Sequence, residues 1–89
     1  MDLNLLAIFR RLRSRLPPLR PLPYRRVARK LMAAGFFPVD QRGSHVKFAK
    51  TTVAGDRRVI VPRHREVQTG TLRSILRQAG LTRDEFERL

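Results

Sequence analysis

The feature that most constrains the fold is a tight turn at Gly43-Ser44, which separates two short runs rich in apolar residues. Before the turn, Phe36–Gln41 carries the aromatic and β-branched residues typical of a strand, and Pro38 favours a position at a sheet edge. After the turn, His45–Lys50 alternates between apolar and polar residues. The pattern predicts a β-hairpin with one buried face and one open face.

The residues on either side of this hairpin predict an α+β fold. Arg57–Val61 has the composition of a third strand. Apolar residues at helical spacing predict one helix that ends at Gly35 and a second over Thr71–Ala79, while Thr82 and Glu85 have the spacing of a capping box. We therefore expect a helix, a three-stranded antiparallel sheet, a helix and a last short helix, with the helices packed on one sheet face.

The alternation after the turn assigns side chains to the two faces of the sheet. Val46 and Phe48 must face the helices, so His45 and Lys47 share the open face. His45 is one of two histidines in the chain. An imidazole can accept or release a proton near neutral pH, which makes His45 a candidate functional residue.

The charge of the chain indicates an anionic partner. The 89 residues carry 20 Lys and Arg against 7 Asp and Glu, a net charge of +13, and such a surplus repels itself unless an anion neutralises it. Nucleic acid is the expected partner, and an acidic protein comes second. Cysteine is absent, which rules out disulfides and thiolate zinc sites. Because arginines interrupt the apolar start too early for a signal peptide or a membrane helix, we expect a cytoplasmic protein with no membrane contact.

The first 22 residues differ in composition from the rest. Residues 3–16 place apolar residues at helical spacing with four arginines among them, and residues 17–23 contain four prolines. A proline-rich stretch of this kind favours an extended, semi-rigid linker. The sequence predicts a basic amphipathic arm and linker over residues 1–22 and the main domain over residues 23–89.

Three motifs together resemble the HicA toxin family. They are Gly43-Ser44-His45, Val61-Pro62-Arg63-His64 and the helix Gly70–Leu81, and the likeness covers about residues 24–89. HicA proteins are mRNA interferases that pair with HicB antitoxins, and their fold resembles a double-stranded-RNA-binding domain. The resemblance implies such a fold, a toxin directed against mRNA and a HicB-like antitoxin partner. The N-terminal arm looks longer than is usual for the family, and the loop Val67–Thr69 is a looser match.

The resemblance also implies that His45 is the catalytic residue. RNA can be cleaved by attack of its own 2′-OH on the adjacent phosphorus, so an enzyme needs a base, stabilisation of the developing charge and a proton for the leaving 5′-oxygen. We expect His45 to be the general base of a metal-independent endoribonuclease that blocks translation. A turn histidine that only hydrogen-bonds to the backbone is the structural alternative.

Four neighbours of His45 are candidate RNA or phosphate contacts. Gly43 can adopt a positive φ, Ser44 offers a hydroxyl and a backbone N–H, and Lys47 and Arg42 offer cations. Ordinary turn chemistry or solvation explains each of them equally well. His64 is a secondary candidate for the general acid. No cofactor and no metal are expected, since the two histidines are 19 positions apart and the carboxylates are scattered.

Two other functions fit the same composition. One is a non-catalytic basic RNA-binding module in which His45 only contacts a 2′-OH or a phosphate. The other is a chain that chiefly binds an acidic antitoxin across its open face, which is compatible with the toxin. Most of the six aromatic residues are expected in the core, so no platform for stacking single-stranded RNA is predicted. General phosphate contacts or solvated side chains are expected of the remaining arginines, including Arg57, Arg58, Arg73 and Arg77.

Overall fold

The computed structural model describes residues 18–89 together with Leu5, Ala7 and Ile8, which are helical. The rest of the predicted N-terminal helix and the start of the linker lie outside the described residues. The elements follow the predicted order and are α1 (Tyr24–Ala33), β1 (Phe37–Arg42), β2 (His45–Thr52), β3 (Gly55–Pro62), α2 (Thr69–Ala79) and α3 (Arg83–Glu87). None of the helices in this part of the chain is both long and apolar enough to cross a lipid bilayer.

The three strands form one antiparallel sheet in the order β1-β2-β3. The pairing of β2 with β3 is continuous from His45–Pro62 to Thr52–Gly55, so β3 begins two residues earlier than the sequence predicts. The pairing of β1 with β2 contains a β-bulge between Pro38 and Asp40. Strand β1 lies at one edge of the sheet, which confirms the position that Pro38 predicts.

The helices pack on one face of the sheet and form a single hydrophobic core with it. Val46 and Phe48 of β2 face this core, as their alternation predicts. Burying each large apolar side chain contributes about 1.5–3 kcal/mol relative to leaving it exposed. The buried apolar residues of the described chain are Val27, Leu31, Phe36, Val46, Phe48, Val59, Val61, Val67, Leu72, Ile75, Leu76, Ala79 and Phe86.

Helix α2 makes side-chain hydrogen bonds to β3 through Gln78 and Arg57. The backbone N–H of Ile60 donates to Gln78 Oε1 at 2.9 Å, and Gln78 Nε2 donates to Ser74 Oγ at 3.0 Å. Arg57 Nη1 donates to the backbone oxygen of Gln78 at 3.0 Å. Arg57 therefore stabilises the end of α2, where the sequence suggested a phosphate contact or a solvated side chain.

Helix α3 begins with the predicted capping box. Glu85 N donates to Thr82 Oγ1 at 3.1 Å, and Thr82 N donates to Glu85 Oε1 at 2.8 Å. The hydrogen bonds from the Thr82 backbone and side chain lower the pKa of Glu85 from its ordinary value of 4.5. Because the folded state has the lower pKa, the contact stabilises the fold above that ordinary value, and the contribution is lost as pH falls through the folded pKa.

Part of the proline-rich linker packs on the main domain. Leu22 and Val67 exchange two backbone hydrogen bonds, with N···O distances of 3.1 and 2.6 Å. The side chains of Leu19 and Leu22 contact the hydrophobic core. The linker thus joins the folded unit before Pro23, where the sequence predicts the start of the domain.

Candidate active site

The turn at Gly43-Ser44 joins β1 to β2 and places His45 at the first position of β2. Gly43 has a φ of +57°. Among the described residues, only glycines have a positive φ. A glycine of positive φ at the first central position is typical of a type II′ turn, whose twist matches that of a hairpin. On the far side, the backbone N–H of Arg63, the residue that follows β3, donates to the Ser44 oxygen and so holds the backbone next to His45.

His45 and Lys47 lie on the open face of the sheet. His45 is exposed and Lys47 is half-buried, whereas their neighbour Val46 is buried. Directly paired residues of antiparallel strands lie on the same face, so the register identifies the surrounding side chains. The two rows are Arg42, His45 and Pro62, and then Asp40, Lys47 and Ile60.

A shallow depression of about 270 Å³ lies over these two rows. Arg42 Nε lies 3.8 Å from Asp40 Oδ2, but both side chains are largely exposed, so this ion pair contributes little to stability. The depression presents an imidazole, an ammonium, a guanidinium and one carboxylate to solvent. Its lining residues are Asp40, Gln41, Arg42, His45, Lys47 and Ile60.

The structure brings three of the predicted site residues together and leaves others outside. His45, Lys47 and Arg42 share the depression, and Gly43 is in the exposed turn beside it. His64 is exposed in the loop after β3 and does not line the depression. The backbone oxygen of His64 accepts a hydrogen bond from Tyr24 N at 3.2 Å, which ties this loop to the start of α1.

Sequence reasoning missed one exposed aromatic residue on the same face. Phe37 is 57% exposed and pairs with Ala49 of β2, whereas Phe36 is 1% exposed in the core. Ala49 follows His45 and Lys47 at two-residue steps along β2, so Phe37 shares their face. Adjacent residues of an extended chain point to opposite faces, so a buried Phe36 implies that Phe37 lies on the open face. The Phe36-Phe37 pair was therefore the sequence signal for an aromatic residue on that face.

Asp40 was also missed, because the bulge in β1 changes the alternation of that strand. With strict alternation, Phe37 and Asp40 would lie on opposite faces. The extra residue between Pro38 and Asp40 shifts the register, so Phe37, Asp40 and Arg42 all pair with residues on the open face.

Within the described residues, no group of three or more His, Asp or Glu side chains is arranged to bind a metal ion.

The fold and this site define a class of protein. The chain is a small α+β protein of double-stranded-RNA-binding-domain-like arrangement, in which helices cover one sheet face and the exposed His45 of the β1–β2 hairpin lies on the other. The model of the family described as "HicA toxin of bacterial toxin-antitoxin" matches residues 24–81. The match spans more than half of the chain, which therefore belongs to the HicA toxin family and is the toxin of a toxin–antitoxin system with an antitoxin partner. No curated protein sequence matches the chain significantly.

Proposed function

We propose that this toxin is a metal-independent endoribonuclease that cleaves mRNA with His45 as its general base and thereby blocks translation. The observation that carries the proposal is the position of the exposed imidazole, in one open depression with Lys47 and Arg42. The cleaving domain is proposed to be residues 23–89, against which Leu19 and Leu22 of the linker pack.

The proposed reaction begins with transfer of a proton from a ribose 2′-OH to His45. The 2′-oxygen then attacks the adjacent phosphorus, and the bond from phosphorus to the 5′-oxygen breaks. The products are a 2′,3′-cyclic phosphate and a 5′-OH, whose oxygen receives its proton from water or from His64, the secondary candidate, while His45 later releases its proton to solvent. The exposure of His45 matters here, because the imidazole must reach a ribose on a polymer that lies across the sheet.

Lys47 and Arg42 are proposed to stabilise the negative charge that develops on the phosphate. Lys47 lies two residues along the same strand face as His45, and the half-buried position of its side chain limits its freedom. Hydrogen bonds from cationic donors to an anion are about twice as strong as neutral ones. Arg42 pairs directly with His45 across the hairpin, so both cations flank the proposed base.

Gly43 and Ser44 are proposed to let the phosphate backbone approach the turn. Both residues are exposed, and a Cβ added at Gly43 would meet no atom within 4 Å. Glycine is therefore required by the positive φ of Gly43 and not by lack of space. His64 stays the secondary candidate for the general acid, although in the free protein it lies outside the depression.

The proposal is tested by the products of the reaction. Purified protein is incubated with single-stranded RNA in excess chelator, and with the same sequence carrying 2′-O-methyl groups throughout. We expect fragments with 2′,3′-cyclic phosphate and 5′-OH ends from the first substrate and none from the second, because the methyl group removes the nucleophile. Absence of cleavage, or a requirement for a metal ion, would contradict the proposal. Binding without cleavage would identify the non-catalytic RNA-binding module.

A further inference from the structure

A third row of side chains continues the open face beyond the depression. It consists of Phe37 on β1, Ala49 on β2 and Arg58 on β3. The methyl group of Ala49 is too short to cover the neighbouring ring, and Phe37 is 57% exposed. Arg58 is exposed at the other end of the row. A flat apolar group and a cation therefore lie on one surface with His45.

The distance between this row and the proposed base suits a bound polymer. Ala49 follows His45 by four residues on β2, which at the rise of a strand is about 13 Å. A few nucleotides of an extended strand span such a distance. The bulge in β1 makes this arrangement possible, because it places Phe37 on the same face as Arg42 despite their opposite alternation.

The charge of this face favours RNA as its occupant. Arg42, Lys47 and Arg58 supply cations on the three rows, and the carboxylate of Asp40 lies beside Arg42. A ligand that matches both the cations and the exposed ring needs a phosphate backbone and accessible aromatic faces. Single-stranded RNA has both, whereas a duplex keeps the faces of its bases stacked inside.

We propose that Phe37 stacks on a base of single-stranded RNA and, with Arg58 on the adjoining backbone, positions the strand so that its scissile phosphate lies at His45. The inference rests on the proposed function, since it gives Phe37 a role in holding the substrate of that site. Base–aromatic stacking tolerates any base, so Phe37 contributes affinity and register rather than sequence preference.

The test measures binding of an uncleavable strand, a single-stranded 2′-O-methyl oligonucleotide. Phe37→Ala is expected to weaken binding roughly 5- to 150-fold, the range for loss of one base–aromatic stack. Phe37→Trp is expected to keep the affinity, and because the natural chain contains no tryptophan, fluorescence quenching on binding reports stacking at that position directly. Met32→Ala is the matched control, since Met32 is 45% exposed on α1, which packs on the opposite sheet face. It should bind as the wild type does.

A second strand, with the same backbone and length but no bases, separates stacking from general destabilisation. The wild type and Phe37→Ala should bind this abasic strand equally. Equal binding of the intact strand by the two proteins would overturn the inference, as would an equal loss on both strands. A Phe37→Ala protein that no longer binds its antitoxin but binds RNA normally would make Phe37 an antitoxin contact and overturn it too. Because no strand here can be cleaved, failure of the wild type to cut ordinary RNA would remove the proposed function without altering this result.

Discussion

At the scale of single residues, the turn and the bulge decide which side chains surround His45. The positive φ of Gly43 closes the hairpin in two residues and pairs Arg42 directly with His45. The bulge then moves Asp40 onto the face that Lys47 occupies. These two backbone features bring an imidazole, two cations and a carboxylate together without any buried polar network.

Gly80 tests whether the end of α2 depends on a left-handed backbone conformation and on close packing against Arg57. It has a φ of +70° at the end of the helix, and a Cβ there would lie 2.6 Å from Arg57 Cζ. We expect Gly80→Ala to lower the free energy of unfolding by about 1–2 kcal/mol, because a side chain is disfavoured in the left-handed region and the Arg57 guanidinium must move. Chemical denaturation measures the change.

Gly70 is the control for that substitution. It lies in the first turn of α2, has no positive φ, and a Cβ there would meet nothing within 4 Å. Gly70→Ala should leave the stability unchanged or raise it by up to about 1 kcal/mol, since alanine favours the helix. Equal losses in the two variants would show that the Gly80 effect does not come from its backbone conformation.

For single residues, the sequence predicted the sheet face of some side chains and not of others. The alternation of β2 correctly predicted that Val46 is buried and that His45 and Lys47 lie on the open face. Phe37 and Asp40 could not both be assigned to the open face from the sequence, because a bulge leaves no clear signal in a strand as short as β1. The roles of His45, Lys47, Arg42, Gly43 and Ser44 in RNA cleavage stay predictions.

At the scale of elements, one buried lysine connects the first and last helices. Lys30 of α1 is 7% exposed, and its ammonium donates to the backbone oxygens of Phe86 at 3.0 Å and Leu89 at 3.2 Å. The ammonium also lies 5.1 Å from the centre of the Phe86 ring. Cations are favourable near a helix C-terminus, so Lys30 holds α3 against α1.

Lys30→Met tests this connection. Methionine retains most of the apolar stem but donates no hydrogen bond, so we expect the free energy of unfolding to fall by about 1–3 kcal/mol. Arg29→Met is the control, because Arg29 is exposed on the same helix and its replacement should change stability by less than about 0.5 kcal/mol. Thermal unfolding of the two variants beside the wild type gives the comparison, and equal midpoints would contradict the role of Lys30.

Contacts between elements were harder to predict than the elements themselves. The order of helices and strands followed from periodicity and turn residues, and so did the capping box at Thr82. The interactions of Lys30 with α3 and of Gln78 with the edge of β3 depend on residues far apart in sequence. No local pattern distinguishes these two side chains from solvated ones.

At the scale of the whole molecule, the two faces of the sheet have different tasks. The helices bury the apolar side chains of one face, and the other carries His45 and its cationic neighbours. The net charge of +13 and this uncovered face suit a protein that binds an anionic polymer. The family match and the fold agree with what the motifs predicted, while the RNA substrate and its cleavage remain the proposal.

The most direct test compares RNA cleavage by His45→Ala and His64→Ala, both in excess chelator, with circular dichroism to verify folding. These are the two histidines of the chain, one inside the depression and one outside it. Loss of a general base typically costs about 100-fold or more in rate. We predict that loss for His45→Ala and a smaller loss for His64→Ala, because His64 is only the secondary candidate for the general acid and lies outside the depression. A folded His45→Ala protein that cleaves RNA at the wild-type rate would contradict the account.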